Sequence, residues 1–395
     1  MKKFTKALAL LMALAMVFAL AACSGGGDTG ESSNNNASEA PKSTFAPVAK
    51  GQIKVGVIHI GNPKDTSGYT HAHDQGIVDM QKTLGLQDNQ IIRKNNIDDQ
   101  DKKAIETAIR ECIEEGCNII FGTSYGYMDT MEQLAAEYPE VIFSHCSGYK
   151  NNGKNLNNYF GRIYEARYLT GIAAGLKTKS NKIGYVAAQG SSNPEVTGGI
   201  DAFALGVKSV NKDAKVYVKV TNTWFDLNKE KSAAIALLDL GCDVIAQHQD
   251  TAQPQIAAEE RGVWGCGYNS DMTAEAPKAH LTATVWNWGV YYTQAVKQVI
   301  DGTWTPTNYF DGMKEGLVDI SPLSANCADG TKEAIEKARA SIVDGTLKVF
   351  AGPLKDNTGK EQVKSGDYLK DDYIAGKLNS VSYTHLRAHE TCADL

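Results

Sequence analysis

The sequence predicts an α/β protein built as two doubly wound parallel-sheet lobes joined by a hinge. Three observations carry that expectation. Short β-branched runs alternate with helical stretches from residue 53 onward, the pattern of parallel βαβ units. The alternation runs once to about residue 150 and starts again near Tyr164. About 330 residues separate a polar N-terminal stretch from an aberrant C-terminal tail, enough for two sizeable cores.

In the first series IKVGVIHI (53–60) reads as a strand covered on both faces, because continuous apolar runs suit that position. A helix from about His73 to Leu84 follows, then the strand QIIRKNNI (90–97). Next comes a helix with Ala104, Ile105, Ala108, Ile109, Cys112 and Ile113 on one face. The strand NIIFGTS, a helix through Met131 and Leu134, and the strand VIFSHCS complete one lobe.

The second series opens with a helix in EARYLTGIAAGLKT, whose Gly and Ala allow close packing on a sheet. KIGYVAA, KVYVKVT, CDVIAQH and WGCGYN are its strands, with helices near 195–209, 228–239 and 253–261. HLTATVW (280–286) leads into the helix VYYTQAVKQVIDG, and LVDISPL into a helix at 331–344. The expected division is residues 51–160 with 287–303 in lobe 1 and 161–286 with 304–360 in lobe 2, followed by a C-terminal segment at 361–380.

Lys2, Lys3 and Lys6 precede an apolar run of sixteen residues, Ala7 to Ala22, that stops at Cys23. Such a run reads as a secretory signal and is shorter than the roughly 20 residues a bilayer span needs. Leu20-Ala21-Ala22-Cys23 has the look of a lipobox, which makes 1–22 a signal peptide and Cys23 a lipidated residue on the extracytoplasmic face of the cell membrane. Residues 23–50 are too poor in large apolar side chains to fold and form a tether. At the other end SYTHLRAHET has no hydrophobic period and resembles translated adapter sequence, so 381–395 is expected to be non-native.

The net charge of −6 becomes −9 once Lys2, Lys3 and Lys6 leave with the signal. An acidic chain of this kind has no attraction for nucleic acid or anionic lipid. Cys112, Cys117, Cys146, Cys242, Cys266 and Cys327 form no CxxC pair, so a zinc knuckle is not supported and no disulfide pairing follows from the sequence. GxxxxGK[ST] and HExxH are absent, which argues against the enzymes those motifs mark. His71 and His73, two apart at a helix start, converge poorly on a metal; neither a metal nor a cofactor is expected.

Ligands of open parallel sheets bind beyond the carboxyl ends of the strands. Those positions hold Tyr69 and Asp74 after the first strand, Ser124 and Tyr125 after NIIFG, and Glu195, Trp224, His248, Asp250 and Asp271 in the second lobe. Asn287 and Trp288 follow the last cleft strand. Aromatic faces that stack and carboxyl or amide groups that meet a polar edge suit a purine or nucleoside, while stacked tryptophan with Asp and Asn also suits a sugar.

GVIHIGNPKDTSGYTHAHDQG, FGTSYGYMD, FGRIYEARYLTGIAAGLKT, NPEVTGGIDAFALGV, NTWFD, DVIAQHQD and NSDM together resemble the basic membrane protein family of ABC-transporter binding lipoproteins, in the branch of purine and purine-nucleoside receptors. The resemblance implies a type I periplasmic-binding-protein fold, a monomer that catalyses nothing, and ABC permease and ATPase subunits as partners. It places stacking aromatics at Tyr69 and Trp224 and a base- or ribose-contacting carboxylate at Asp271. Nucleoside receptors of the family carry a lysine after the last cleft strand where Trp286-Asn287-Trp288 stands here, which favours a free base. A sensor domain reporting to a membrane kinase is the third reading that the sequence leaves open.

Overall fold

A computed structural model describes residues 43–190, 193–356, 359–376 and 386–388. The signal sequence, Cys23 and most of the tether lie outside them, as do the remaining residues of the tail. The chain enters a first sheet with β1 (Val55–Ile58), α1 (Tyr69–Leu84), β2 (Ile91–Lys94), α2 (Lys102–Glu114), β3 (Ile119–Gly122), α3 (Met128–Glu137), β4 (Ile142–Cys146) and β5 (Leu156–Gly161). It then crosses to a second sheet with α4 (Ile163–Lys177), β6 (Lys182–Ala187), α5 (Pro194–Val210), β7 (Lys215–Val220) and α6 (Leu227–Asp239). That series continues with β8 (Val244–His248), α7 (Gln253–Glu260), β9 (Trp264–Asn269) and β10 (His280–Trp286).

After β10 the chain returns to the first lobe for α8 (Gly289–Asp301) and β11 (Tyr309–Asp311), then crosses again to β12 (Val318–Ile320) and α9 (Thr331–Val343). A small hairpin, β13 (Leu354–Lys355) with β14 (Glu361–Val363), and α10 (Asp371–Gly376) follow. The sheet orders are β11-β5-β4-β3-β1-β2 and, with β15 (Leu386–Ala388) at its edge, β12-β10-β9-β8-β6-β7-β15. All pairings in the two sheets are parallel except β10 with β12. These are the two doubly wound lobes that the alternation predicts.

Two details differ from the sequence reading. β5 escapes it because Asn157 and Asn158 interrupt the apolar run although both are buried; Asn157 is accommodated by donating to Tyr291 Oη and Thr307 O. β11 pairs with β5, so residues 309–311 stand in the first sheet and the last crossing comes after Asp311, later than the 303/304 boundary. Of the expected non-native tail, residues 386–388 lie parallel to β7.

Local chemistry sets the helix ends that face the other lobe. Asp101 accepts from the backbone N–H groups of Lys103 and Ala104 and starts α2. Asn193 caps α5 ahead of Pro194, and Asp226 caps α6. α4 makes its tightest approach to α5 rather than to a sheet: a Cβ on Gly171 would lie 2.1 Å from Phe203 O, and one on Gly206 would lie 2.0 Å from Tyr168 O. Both glycines therefore permit the helix crossing itself. Gly171→Val and Gly206→Val are each expected to cost about 1–3 kcal/mol or more from overpacking. Urea denaturation measures this, and an unchanged midpoint would show that the helices can separate freely.

Candidate ligand-binding cleft

The carboxyl ends of the parallel strands in both lobes face one gap, and the chain spans it three times, at Arg162, at Asn287 and at Gly312–Leu317. Arg162 ties these strands together by ion pairs to Glu165 and Glu315 and by donating to Phe310 O. Asn287 donates through its backbone N to Leu317 O at 2.7 Å and through Nδ2 to Gly316 O at 3.0 Å. Beside them His73, Trp288 and Trp286 form a column, with ring centroids 4.5 and 4.3 Å apart and planes within 12°.

On the first lobe Tyr69 opens α1, donates its hydroxyl to Thr123 O at 2.5 Å and sits edge-on to His73. Cys146, at the end of β4, lies 3.6 Å from the Tyr69 hydroxyl. Opposite them, Glu195 in the first turn of α5 accepts from Tyr268 Oη at 3.2 Å and meets His248 Nε2 at 3.1 Å. Asp250, just past β8, accepts from Asn269 Nδ2 at 2.9 Å, and its backbone N donates to Trp224 O at 3.0 Å. Trp224 is half-buried with its ring edge-on to His248.

The two lobes touch at this place. Gly68 N donates to Ser270 Oγ at 3.0 Å, and Thr66 Oγ1 donates to Glu275 Oε1 at 3.0 Å. Gly68 has φ +94°, and a Cβ there would fall 2.3 Å from Asp250 O. Glycine is thus required twice, by its backbone angle and by the approach of the opposing carbonyl.

Burial governs the charge of this floor. Desolvation pushes Glu195 up to about 7 against the opposing pull of Tyr268 and the Arg167 guanidinium. It pushes Asp250 up to about 8, helped by Glu230 and Glu195 and resisted by the Asn269 hydrogen bond. His248 is held well below its ordinary value by burial and by Arg167. Arg167 is itself buried, 3.9 Å over the Tyr268 ring, and donates to Gln247 O. Asn269 Oδ1 and Gln249 Oε1 are buried and accept no hydrogen bond among the described residues; a donor reaching them would remove a desolvation cost.

The family profile of PnrA-like ABC transporter substrate-binding proteins matches residues 52–350. The chain belongs to that Bmp family. Members are solute-binding proteins, not enzymes, and act outside the cytoplasm as part of ABC transporters. A purine-binding protein of Brucella abortus is 40% identical over 328 residues, covering 83% of this chain and 91% of its own. A Haloferax volcanii protein named for glucose binding is 38% identical over 247 residues, 62% of each chain. Among solved structures, solute-binding proteins of Conexibacter woesei and Aeropyrum pernix superpose with TM-scores of 0.63 and 0.64. They share 20% and 18% identity, cover 75% and 76% of this chain and 98% and 94% of their own, and support the two-lobed binding-protein fold.

Of the residues that strand-end reasoning selects in this Bmp chain, Tyr69, Glu195, Trp224, His248 and Asp250 converge. Trp288 is 0% exposed inside the ring column, so its faces are taken. Asn287 braces a crossing strand. Asp271 is exposed, caps its own turn through Thr273, and lies with Asn287 along a second groove of about 400 Å³ between α1 and the ends of β9 and β10. Burial alone would raise Asp74, but hydrogen bonds from His59 and Arg93 hold its carboxyl below the usual range within lobe 1. Ser124 Oγ donates to Asp99, and Tyr125 is 55% exposed. His71 lines the second groove whereas His73 bonds Tyr292, so the two histidines diverge.

Strand-end reasoning passes over Cys146, Tyr268, Asn269 and Gly68. Cys146 and Tyr268 are read as strand interior, and only the paired lobe shows Gly68 against Asp250. A titration separates the charge of the floor from its shape. Folded Asp250 keeps its proton up to about 8 whereas an unfolded aspartate releases it near the ordinary 3.8. The folded state therefore binds more protons across that window, and this contribution to stability is lost as pH rises through it. Asp250→Asn is expected to gain urea resistance relative to the parent as pH moves from about 5 to about 8; a constant difference would mean that Asp250 titrates as an exposed carboxylate.

Proposed function

We propose that this chain is an extracytoplasmic ABC-importer lipoprotein, anchored through Cys23, that captures a purine base or nucleoside between its lobes and hands it to a permease driven by an ATPase. The observation that carries the reading is the pairing of aromatic rings from both lobes, Tyr69 and Trp224, with two desolvated carboxyls, Glu195 and Asp250, at one gap. A purine offers two flat faces and an edge of alternating donors and acceptors. Rings take the faces, and carboxyls poised near neutrality accept from a ring N–H or, when protonated, donate to a ring nitrogen. The Brucella relative, named for purine binding, supports this ligand class.

Binding proceeds by hinge closure of a monomer. The open form admits solute, and the solute shifts the population toward the closed form by its differential affinity. Contacts of Gly68 with Ser270 and of Thr66 with Glu275 join the lobes directly and belong to the closed form. A free base is favoured over a nucleoside because Trp286 and Trp288 are stacked and buried where a ribose-binding lysine would be needed. Glucose or another sugar is the second reading, which the Haloferax relative favours. A role in reporting solute to a membrane kinase would use the same closure.

A thermal-shift screen of bases, nucleosides and sugars decides the ligand class. Adenine, guanine, hypoxanthine and xanthine are expected to give the largest shifts, and a sugar at the top would reverse the ranking. Trp224→Ala is expected to weaken binding of the leading compound by about 1–3 kcal/mol, the usual contribution of one stacked base; calorimetry showing undiminished affinity would remove Trp224 from the site. Gly68→Ala should weaken binding of any cleft ligand without reaching it, because the added Cβ opposes the Asp250 carbonyl. Unaltered affinity in that variant would mean that the lobes need not meet there.

A further inference from the structure

α2 ends in a Schellman turn. Gly116, with φ +83°, donates its N–H to Ile113 O at 2.9 Å, and Cys117 N donates to Cys112 O at 3.0 Å. In this turn the residue two past the cap packs on the residue three before it. Here both positions are cysteine. Cys112 is 0% and Cys117 3% exposed, and both are free thiols in this structure. Gly56 on β1 leaves room for the Cys112 side chain, whose Sγ would be 3.1 Å from a Cβ there.

We propose that Cys112 and Cys117 form a disulfide that closes the C-terminal turn of α2 against β1 and β3. The local backbone already brings the two side chains together, which is the geometric requirement for a bridge. Members of the family act outside the cytoplasm, where disulfides persist. This inference rests on that location and on the turn, not on the identity of the ligand. The other described cysteines are placed differently: Cys146 meets Tyr69 and His73, Cys242 is buried in the apolar cluster of Leu237 and Ala258, Cys266 donates to Thr170 O, and Cys327 donates to Leu281 O.

The bond is made by thiol–disulfide exchange with a disulfide-bearing oxidant such as oxidised glutathione or an exported oxidoreductase. One thiolate attacks the oxidant's disulfide and gives a mixed disulfide, and the second displaces it. The Cys112–Cys117 S–S bond forms, the oxidant's S–S bond breaks, and the two electrons and two protons end on the oxidant's thiols. Contact with Cys112 and burial push the Cys117 thiol far up, so in the folded reduced protein it is a poor nucleophile and the exchange belongs to the folding chain.

The loop is short, so little stability follows from closing it, and a chemical reading is needed. The full chain, reduced in denaturant and refolded in a mixture of reduced and oxidised glutathione, is denatured again, alkylated without reductant and cut with a glutamate-specific protease. Glu114 and Glu115 lie between the two cysteines. The fragments carrying Cys112 and Cys117 should remain joined, unlabelled and two hydrogens lighter than their sum, and should separate on reduction. Cys112→Ser should restore the label on Cys117, a result independent of whether the variant folds. Alkylation of both cysteines in the parent chain, or a bridge from either to another cysteine, overturns the proposal.

Discussion

Everything at the cleft depends on one constraint, that all strands of the two sheets but β12 run parallel. A parallel strand must be followed by a return crossover, and α1, α2 and α3 supply it in the first lobe and α5, α6 and α7 in the second. Every such strand in a lobe therefore ends on the same edge, and its backbone carbonyls and first loop residues emerge side by side. Tyr69, Cys146, Glu195, Trp224 and Asp250 are distant in sequence yet share the gap between two such edges. No local motif joins them.

The same constraint explains why the floor of the cleft is poorly solvated and acidic. Strand ends are flanked by helix starts, and Glu195 occupies the first turn of α5, where the helix favours negative charge. Packing of Tyr268, His248 and Arg167 beneath it removes water. Desolvation outweighs the helix and the guanidinium, since Glu195 is raised to about 7. Asp250 rises further because Glu230 and Glu195 add repulsion to burial. The protein thus carries two carboxyls whose charge a bound partner can settle, at some cost in the stability of the unliganded fold.

Most of the architecture is legible in the residues. HLTATVW is β10 from end to end, and the apolar face of Ile105, Ala108, Ile109 and Cys112 is the buried face of α2. What escapes is structure whose polarity is balanced elsewhere. β5 hides behind buried asparagines paid by distant hydroxyl and carbonyl groups, and β11 is three residues on a sheet edge. The strand-end rule reaches Glu195, His248 and Asp250 because topology alone places them. Asp74, Ser124 and Trp288 are engaged within the first lobe by Arg93, Asp99 and His73, partners that lie beyond any local pattern. Position along a strand can be read from composition, but the direction in which a side chain finds its partner cannot.

The tryptophans at and just past the end of β10 link the two lobes through packed rings and one hydrogen bond. Trp286 donates Nε1 to Tyr268 Oη, and Tyr268 in turn donates to Glu195. Trp288 stacks between Trp286 and His73, and His73 bonds Tyr292 on α8. A continuous chain of contacts therefore runs from a carboxyl of the second lobe, through the crossing strand, into the core of the first. A lysine in place of either ring would introduce a charge into the column, which burial penalises unless a partner is supplied. The position that could have sent a cation toward a ligand instead fixes the orientation of Tyr268 beneath Glu195. Glu195 and Asp250 are then met from their own lobe by Tyr268, His248 and Asn269 rather than by a lysine.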